Sequence, residues 1–393
     1  MILRNARARL VAVLAVALIA VAALGVAAAG CGSSKDDTTT TAAAAATTVT
    51  TASADTTTSV AGDTTTSAAP LAADLNGAGA TFPQPIYVEW IGAFQKLQPG
   101  VKINYQGVGS GAGIQQFTAQ TVDFGASDAF MKDTELTAAE AARAGAKVIH
   151  IPTVFGAIVL AYNLPGVDKL KLDSDTLAGI FLGKITKWND AAITALNPDA
   201  KLPATAIQTV HRSDSSGTTN AFTSYLTAVS PDWKAGPGAG KTVTWTGGVG
   251  GKGNDGVAAV VKQTAGAIGY VELAYATQNS MTMADMKNKS GAFITPSLDS
   301  TSAAAEGITI PEDMNLLPLV SDSANPSAYP IVTSTYILAY DKMPDAAKAA
   351  ALKAWLVWAL GDDGTTIAKQ LGYAPLPSAL KDAALAKVAL IGS

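Results

Sequence analysis

The sequence predicts an α/β fold, and two patterns within residues 74–393 support this. Apolar residues at helical spacing alternate there with short runs of β-branched residues, which indicates layers of helices packed against a sheet. Glycine-rich loops also lead into predicted helices at more than one place. The chain has 393 residues, enough for two or three domains with ample cores.

The predicted elements follow one another along this segment. A helix begins at Pro83, a residue suited to a first helical turn, and its apolar face carries Ile86, Trp90, Phe94 and Leu97. Runs rich in β-branched residues predict strands at Val101–Tyr105, Ile158–Tyr162 and Ile337–Tyr340. A late amphipathic helix carries Leu352, Trp355, Leu356, Ala359 and Leu360. Residues 281–328 are polar and irregular, and no element is assigned to them.

Residues 1–30 have the pattern of an export signal. Basic residues up to Arg9 precede an apolar run, which ends in small residues directly before Cys31, the only cysteine. This arrangement resembles a bacterial lipoprotein signal, which implies that Cys31 is lipidated and becomes the N-terminal residue. Ala28 stands where such signals usually carry a larger aliphatic residue. An uncleaved membrane anchor and an ordinary cleaved signal therefore stay open as alternatives.

Residues 31–73 are dominated by Thr, Ala and Ser, with scattered Asp and almost no large apolar side chain. Such a segment buries too little apolar surface to offset the chain entropy lost on folding, which predicts a disordered tether. The globular part then begins at about residue 74. The formal net charge of −4 offers no basic face, so no nucleic-acid partner is expected.

Three loops rich in glycine and hydroxyl groups precede predicted helices: Gly77–Pro83, Gly107–Gly113 and His211–Thr219. The third also contains Arg212 and Asp214. Free backbone N–H groups at a helix N-terminus, together with hydroxyls and a guanidinium, suit a tetrahedral oxyanion. Taken alone, the third loop is equally typical of an ordinary N-cap beside a surface arginine. Three such loops in one chain favour the anion site.

Catalytic and metal sites have less support. The two histidines, His150 and His211, have no nearby histidine or cysteine partner in the sequence, so no metal site is predicted. The sequence has no G-x-S-x-G motif, and a donor-lined site without a placed base holds an oxyanion instead of transferring it. Residues 240–242 resemble part of a P-loop, but Ala235 occupies the position of a required glycine. No catalytic residue and no cofactor are therefore predicted.

Eight segments resemble the periplasmic phosphate-binding proteins of the high-affinity phosphate ABC transporter. They occur in the family's order and span most of residues 76–278 and 329–377. The segments are GAGATFPQP (77–85), NYQGVGSGAG (104–113), VDFGASD (122–128), LGKITKW (182–188), RSDSSGT (212–218), GGKGNDG (250–256), GAIGYVE (266–272) and LGYAPLP (371–377).

The resemblance implies a two-lobed, type II binding-protein fold in which an anion sits in the cleft between lobes. The first lobe would comprise residues 74–155 and 330–393, and the second lobe residues 156–329. Two crossover strands would form the hinge, and the predicted strands at 158–162 and 337–340 fall where these crossovers belong.

The resemblance also implies which groups bind phosphate. The first lobe would supply the hydroxyl and amide of Thr81, the amide of Phe82, the hydroxyl of Ser110, and Asp128. The second lobe would supply Arg212, Ser216, the amide of Gly217, and the amide and hydroxyl of Thr218. Asp214 would pair with Arg212 and hold it. Ser215 stands where the family often has glycine, so a positive φ there would strain the loop.

Asp128 would determine selectivity. Phosphate keeps at least one O–H at pH 7, whereas sulfate has none. A buried carboxylate therefore gains a charge-assisted hydrogen bond from phosphate but faces sulfate as an unpaired, repulsive acceptor. A helix-capping Asp128 is the alternative interpretation.

The predicted function is that of an extracytoplasmic, membrane-tethered receptor that captures inorganic phosphate and delivers it to an ABC permease. It would act as a monomer, lipid-anchored on the outer face of the cell membrane, in a periplasm or at a cell surface, and would perform no chemistry on the ligand. The alternatives are a secreted phosphatase of the similar phosphate-binding-like group and a receptor for another oxyanion.

Overall fold

The computed structural model describes residues 71–392. The predicted signal, the lipidation site at Cys31 and the predicted tether up to residue 70 lie outside these residues. Within the described part, no helix has the length and apolar character needed to cross a membrane.

The described residues alternate between helices and strands, as the sequence predicts. The strands are β1 (Ala73–Gly79), β2 (Val101–Gly107), β3 (Phe124–Ser127), β4 (Val148–Asn163), β5 (Lys171–Leu172), β6 (Gln208–Arg212), β7 (Val249–Gly251), β8 (Ala267–Glu272), β9 (Thr282–Met283), β10 (Asp285–Lys287), β11 (Phe293–Ile294), β12 (Val332–Tyr340) and β13 (Ala374–Pro375). The helices are α1 (Gln84–Leu97), α2 (Ser110–Thr118), α3 (Asp133–Ala142), α4 (Ser174–Phe181), α5 (Ala191–Leu196), α6 (Gly217–Val229), α7 (Pro231–Ala235), α8 (Gly253–Gln263), α9 (Leu273–Gln278), α10 (Leu298–Ala305), α11 (Leu317–Val320), α12 (Ala346–Ala359), α13 (Asp362–Gln370) and α14 (Ser378–Ala389).

One long mixed sheet has the strand order β2-β1-β3-β12-β4-β8-β6-β7, and β13 and β9 also pair with β4. At one end β1 runs parallel to β2 and β3, and at the other end β6 runs parallel to β7 and β8. The central strands β12 and β4 are antiparallel to their neighbours. A small separate sheet contains β11, β10 and β5.

The strand β4 joins the two halves of the long sheet. Its residues 148–157 pair with β12, and its residues 158–163 pair with β8. The sequence-based prediction covered only residues 158–162. A proline such as Pro152 cannot donate to a ladder and normally argues against a central strand. In the structure Pro152 pairs with Tyr336 and Val154 pairs with Thr335, so the extra residue Thr153 shifts the register of β4 directly after the proline. The predicted strand at 337–340 is likewise the end of the longer β12.

The other sequence-based elements agree closely with the structure. Pro83 is the N-cap of α1, and the first predicted strand is most of β2. The late helix is α12, which begins after an Asp345 cap. Residues 281–328, which the sequence left unassigned, form three short strands and two short helices.

An aromatic cluster fixes α1 and α12 against the parallel strands at one end of the sheet. Tyr87 stacks on Trp90 and meets the ring edges of Tyr105 and Trp355, and Trp355 also packs against Phe124. Burial of each large aromatic side chain contributes about 4–6 kcal/mol before conformational entropy is subtracted. This packing holds the ends of β1, β2 and β3 in place, and the loops that follow those ends carry the site residues of the predicted first lobe.

Candidate anion-binding site

The predicted site residues follow the carboxyl ends of parallel strands in both halves of the sheet. β1, β2 and β3 lead into α1, α2 and Asp128, while β6 leads into α6. Because carboxyl ends of parallel strands meet at one edge, the loops after them converge there. The side chains concerned are buried: the exposed fractions are 4% for Thr81, 1% for Ser110, 2% for Asp128, 4% for Arg212, 1% for Ser216 and 0% for Thr218.

The N-terminus of α6 lies at the centre of this convergence. Ser216 caps the helix, and its hydroxyl accepts a hydrogen bond from the Thr219 amide at 3.0 Å. Capping uses one lone pair of the hydroxyl and leaves its O–H free to donate. The N-cap and the anion site, weighed as alternatives from the sequence, are therefore compatible roles of one residue. Ser215 does not have a positive φ, so serine causes no backbone strain at this position.

Arg212 is the cation of the site and is held firmly. Its Nε and Nη2 donate to the two carboxylate oxygens of Asp214, with an Nε–Oδ1 distance of 2.8 Å. Its Nη1 reaches the Thr218 hydroxyl at 3.3 Å, and its backbone amide donates to the Tyr270 hydroxyl. This two-point pairing orients the guanidinium plane, because both donors of one edge are engaged.

Asp214 stays ionised in this arrangement. Burial alone would raise its pKa, but the hydrogen bonds and charge of Arg212, aided by the Gly253 amide, hold the pKa of Asp214 below its usual value. The Gly253 amide lies at the N-terminus of α8, 3.1 Å from Asp214 Oδ1. The charge of Arg212 is thus balanced within the protein.

Asp128 has the opposite electrostatic environment. Burial raises its pKa to about 7, against the hydrogen bond from Thr335, the charge of Arg212 and the hydrogen bond with Ser110. The Thr335 hydroxyl donates to Oδ1 at 2.8 Å, while Oδ2 lies 3.5 Å from the Ser110 hydroxyl. Asp128 follows β3 and is not the cap of a helix. A proton shared with a bound ligand is chemically suited to this carboxyl.

Ser110 and Gly217 bring the two predicted lobes into direct contact. The Gly217 amide donates to Ser110 Oγ at 3.0 Å, and the Asp128 amide donates to the same oxygen at 3.2 Å. A Cβ placed on Gly217 would lie 2.6 Å from Asp128 Cβ and 2.6 Å from Ser110 Oγ. Glycine is therefore required for this close approach.

The loop Thr81–Phe82 contributes backbone donors. Within residues 71–392, the amides of Thr81 and Phe82 donate to no protein acceptor, while their carbonyls accept from the Tyr275 and Tyr373 hydroxyls. The Phe82 side chain is fully buried and packs against Tyr373. Only the Phe82 backbone is thus suited to contact an anion, in agreement with the sequence-based assignment.

Two further residues belong to the site and were not predicted from the sequence. Asn254, fully buried at the start of α8, donates to the hydroxyls of both Thr81 and Thr218. It belongs to the glycine-rich segment 250–256, which was the available signal. Thr335, which holds Asp128, lies 207 positions away on β12. No local sequence pattern connects it with the site.

The described residues contain no group of three or more His, Cys, Asp and Glu side chains placed to hold a metal ion. His211 stacks on Trp245, and His150 stacks on Phe130. The arrangement around Arg212 and Asp128 combines many donors with one carboxyl acceptor, and this combination fits an oxyanion that retains a proton.

Comparisons with known proteins agree with this chemistry. A model of the PBP superfamily domain matches residues 38–363. The phosphate-binding protein PstS of Pasteurella multocida is 43% identical over 308 residues, covering 78% of this chain and 87% of the relative. PstS of Xylella fastidiosa is 44% identical over 307 residues, covering 77% and 81%. A solved high-affinity periplasmic phosphate-binding protein with bound phosphate, PfluDING, aligns with a TM-score of 0.67 at 24% identity, covering 80% of this chain and 93% of that one. This last likeness shows a shared fold.

Proposed function

The chain belongs to the PBP superfamily and, within it, to the PstS phosphate-binding proteins, and from that premise we propose that it is an extracytoplasmic receptor for inorganic phosphate. The two-lobed, type II binding-protein fold predicted from the sequence is confirmed. The receptor would close its lobes around the ion and deliver it to an ABC permease for import. The lobe boundaries at residues 155/156 and 329/330 remain predictions.

One observation supports this proposal above the others: buried donors from both halves of the sheet face a single carboxyl acceptor. Within residues 71–392 the donors are the Arg212 guanidinium, the Ser110, Ser216 and Thr218 hydroxyls, and the amides of Thr81, Phe82 and Thr218, which donate to no protein acceptor. In a site closed to water, each unpaired donor or acceptor costs about 1–3 kcal/mol. A ligand that satisfies all of them at once is strongly preferred.

Phosphate meets this requirement better than sulfate. Its unprotonated oxygens accept from the donors, and its O–H donates to Asp128. Sulfate has no proton to donate, so Asp128 would have to be protonated or stay unpaired beside an anion. We infer that the site selects phosphate by reading this proton.

Isothermal titration of a protein lacking residues 1–70 tests the proposal. Phosphate should bind with one site per chain, and sulfate should bind far more weakly. Equal affinities for both anions would contradict the proton-reading site. Absence of phosphate binding would remove the proposed function altogether.

Two further parts of the proposal concern tethering and catalysis. Lipidation at Cys31 should make the full chain partition into a detergent phase, and Cys31→Ser should abolish this partition and the membrane attachment.

The relatives are named phosphate-binding proteins, and we propose that this chain likewise performs no hydrolysis. Turnover of a chromogenic phosphomonoester that is lost in Ser216→Ala would instead favour the phosphatase alternative.

A further inference from the structure

Asn254 connects the hydroxyls of Thr81 and Thr218 inside the site. Its side chain is fully buried, and its Nδ2 lies 3.0 Å from Thr81 Oγ1 and 3.3 Å from Thr218 Oγ1. Its backbone amide also donates to Thr81 Oγ1, at 3.2 Å. Thr81 lies in the predicted first lobe, whereas Asn254 and Thr218 lie in the second. Three donors of one residue are therefore directed at two ligand-binding hydroxyls.

The orientation of the Asn254 amide is fixed by a fourth hydrogen bond. The backbone N–H of Glu272 donates to Asn254 Oδ1 at 3.0 Å. An N–H group can only face an oxygen, so the NH₂ group must face the two threonines. The placement of donors and acceptors around Asn254 is thus determined by the backbone of β8.

These contacts determine whether the Thr81 and Thr218 hydroxyls act as donors or acceptors. A hydroxyl has one O–H to donate and two lone pairs that accept. Thr81 Oγ1 accepts twice from Asn254, and Thr218 Oγ1 accepts once from Asn254 and once from Arg212 Nη1. Within residues 71–392, neither hydroxyl donates to a protein acceptor. Both threonine O–H groups are therefore available only as donors.

We propose that Asn254 is a positioning residue that forces the Thr81 and Thr218 hydroxyls to act as donors to the bound anion. The inference rests on the proposed function and extends it to a residue that does not itself contact the ligand. Without Asn254, each hydroxyl regains a free lone pair and can rotate toward another acceptor. The donor geometry is then no longer set before the ligand binds, and part of the binding free energy is spent in ordering it. Because Asn254 and Thr81 lie in different lobes, Thr81 is oriented only when the lobes close.

A double-mutant cycle with phosphate titration tests this role. Asn254→Ala should weaken phosphate binding about tenfold or more, which corresponds to about 1.4 kcal/mol. In a Thr81→Val/Thr218→Val background the same change should alter affinity by less than about threefold, because its targets are gone. In a Thr81→Ser/Thr218→Ser background, which keeps both hydroxyls, the full loss should return. Asn254→Leu repeats the cycle at similar side-chain volume should the alanine variant not fold.

The matched control is Asn163→Ala. Asn163 also donates its side-chain amide to the α8 segment, but to the Lys262 carbonyl at the far end of that helix. Its removal should leave phosphate affinity unchanged. An Asn254 effect of equal size in the valine background would identify a general packing role and overturn the inference. So would wild-type affinity in Asn254→Ala. In both cases the unmodified protein still binds phosphate, whereas failure of the unmodified protein to bind would overturn the proposed function itself.

Discussion

At the scale of single residues, Asp128 and Arg212 are both buried in the site yet are paired differently. Arg212 is neutralised by Asp214, so its charge is already balanced before a ligand arrives. The Asp128 carboxyl is hydrogen-bonded only by the Thr335 and Ser110 hydroxyls, and burial raises its pKa to about 7. Asp128 is therefore left as a hydrogen-bond acceptor to which a protonated ligand can donate.

Replacing Asp128 with asparagine tests the selectivity that follows. Asp128→Asn keeps the shape but removes the charge, so phosphate should bind about 10- to 100-fold more weakly through loss of a charge-assisted hydrogen bond. Sulfate should bind as well as before or better, since an amide N–H can donate to it. Isothermal titration with both anions measures the ratio. If the ratio of phosphate affinity to sulfate affinity equals that of the unmodified protein, a group other than Asp128 recognises the ligand proton.

The raised pKa of Asp128 also predicts how the ligand-free protein responds to pH. In the unfolded chain the pKa of the Asp128 carboxyl is 3.8, and in the folded protein burial raises this pKa to about 7. Between these values the folded state binds more protons, so the free energy of unfolding falls as pH rises through this window. The stabilisation is complete below about pH 4 and lost above about pH 7.

Urea unfolding without phosphate, at pH 5 and pH 8, measures this effect. Relative to the unmodified protein, Asp128→Asn should gain about 1–3 kcal/mol on going from pH 5 to pH 8. Asp232→Asn, which alters an exposed carboxylate, is the control and should follow the unmodified profile. Parallel profiles for Asp128→Asn and the unmodified protein would show that Asp128 keeps an ordinary pKa in the folded state.

At the scale of elements, the start of α6 shows how closely a helix must approach the opposite loops. Gly217 leaves room for Asp128 and Ser110, and its amide bonds directly to Ser110 Oγ. Gly217→Ala should therefore prevent full approach. Overpacking of this kind costs about 1–3 kcal/mol, which predicts phosphate affinity reduced about 10- to 100-fold. The ligand-free protein, whose predicted lobes would be able to separate, should keep its unfolding free energy.

Gly92→Ala is the control for this substitution. Gly92 lies within α1, and no heavy atom lies within 4 Å of an added Cβ. Alanine there should raise the free energy of unfolding by up to about 1 kcal/mol through helix propensity alone and leave phosphate titration unchanged. Wild-type affinity in Gly217→Ala would mean that the close approach seen here is unnecessary for binding.

The same elements show what the sequence could and could not predict. The loops around Thr81, Ser110 and Ser216 were identifiable because glycine, hydroxyl and helix-start signals are local. The length of β4 was not, because Pro152 disfavours a strand and because β4 pairs there, across the extra residue Thr153, with a strand far along the chain. Thr335 and Asn254 were not predicted for the same reason. Their roles arise from tertiary contacts with Asp128, Thr81 and Thr218, and no local sequence pattern indicates such contacts.

At the scale of the whole molecule, contacts other than the ligand also hold the predicted lobes together. The Gly111 amide donates to the Ser215 carbonyl at 3.0 Å. At the edge of the same contact, Lys241 forms an ion pair with Glu135. The Lys241 side chain is 9% exposed and the Glu135 side chain is 26% exposed. In the proposed receptor these bonds would form only when the lobes are closed, so they would lower the free energy of the closed state with or without phosphate.

Breaking the pair between Lys241 and Glu135 should therefore shift the molecule toward an open form. Loss of a partly buried ion pair worth about 1 kcal/mol predicts phosphate affinity reduced about fivefold in Lys241→Met. Small-angle scattering of the ligand-free variant should give a larger radius of gyration than the unmodified protein, and saturating phosphate should restore the compact value. Lys184→Met removes an exposed ion pair to Asp232 that lies wholly in the predicted second lobe, and it should change neither quantity. Equal scattering and affinity in Lys241→Met and Lys184→Met would show that closure depends on the ligand and the central contacts alone.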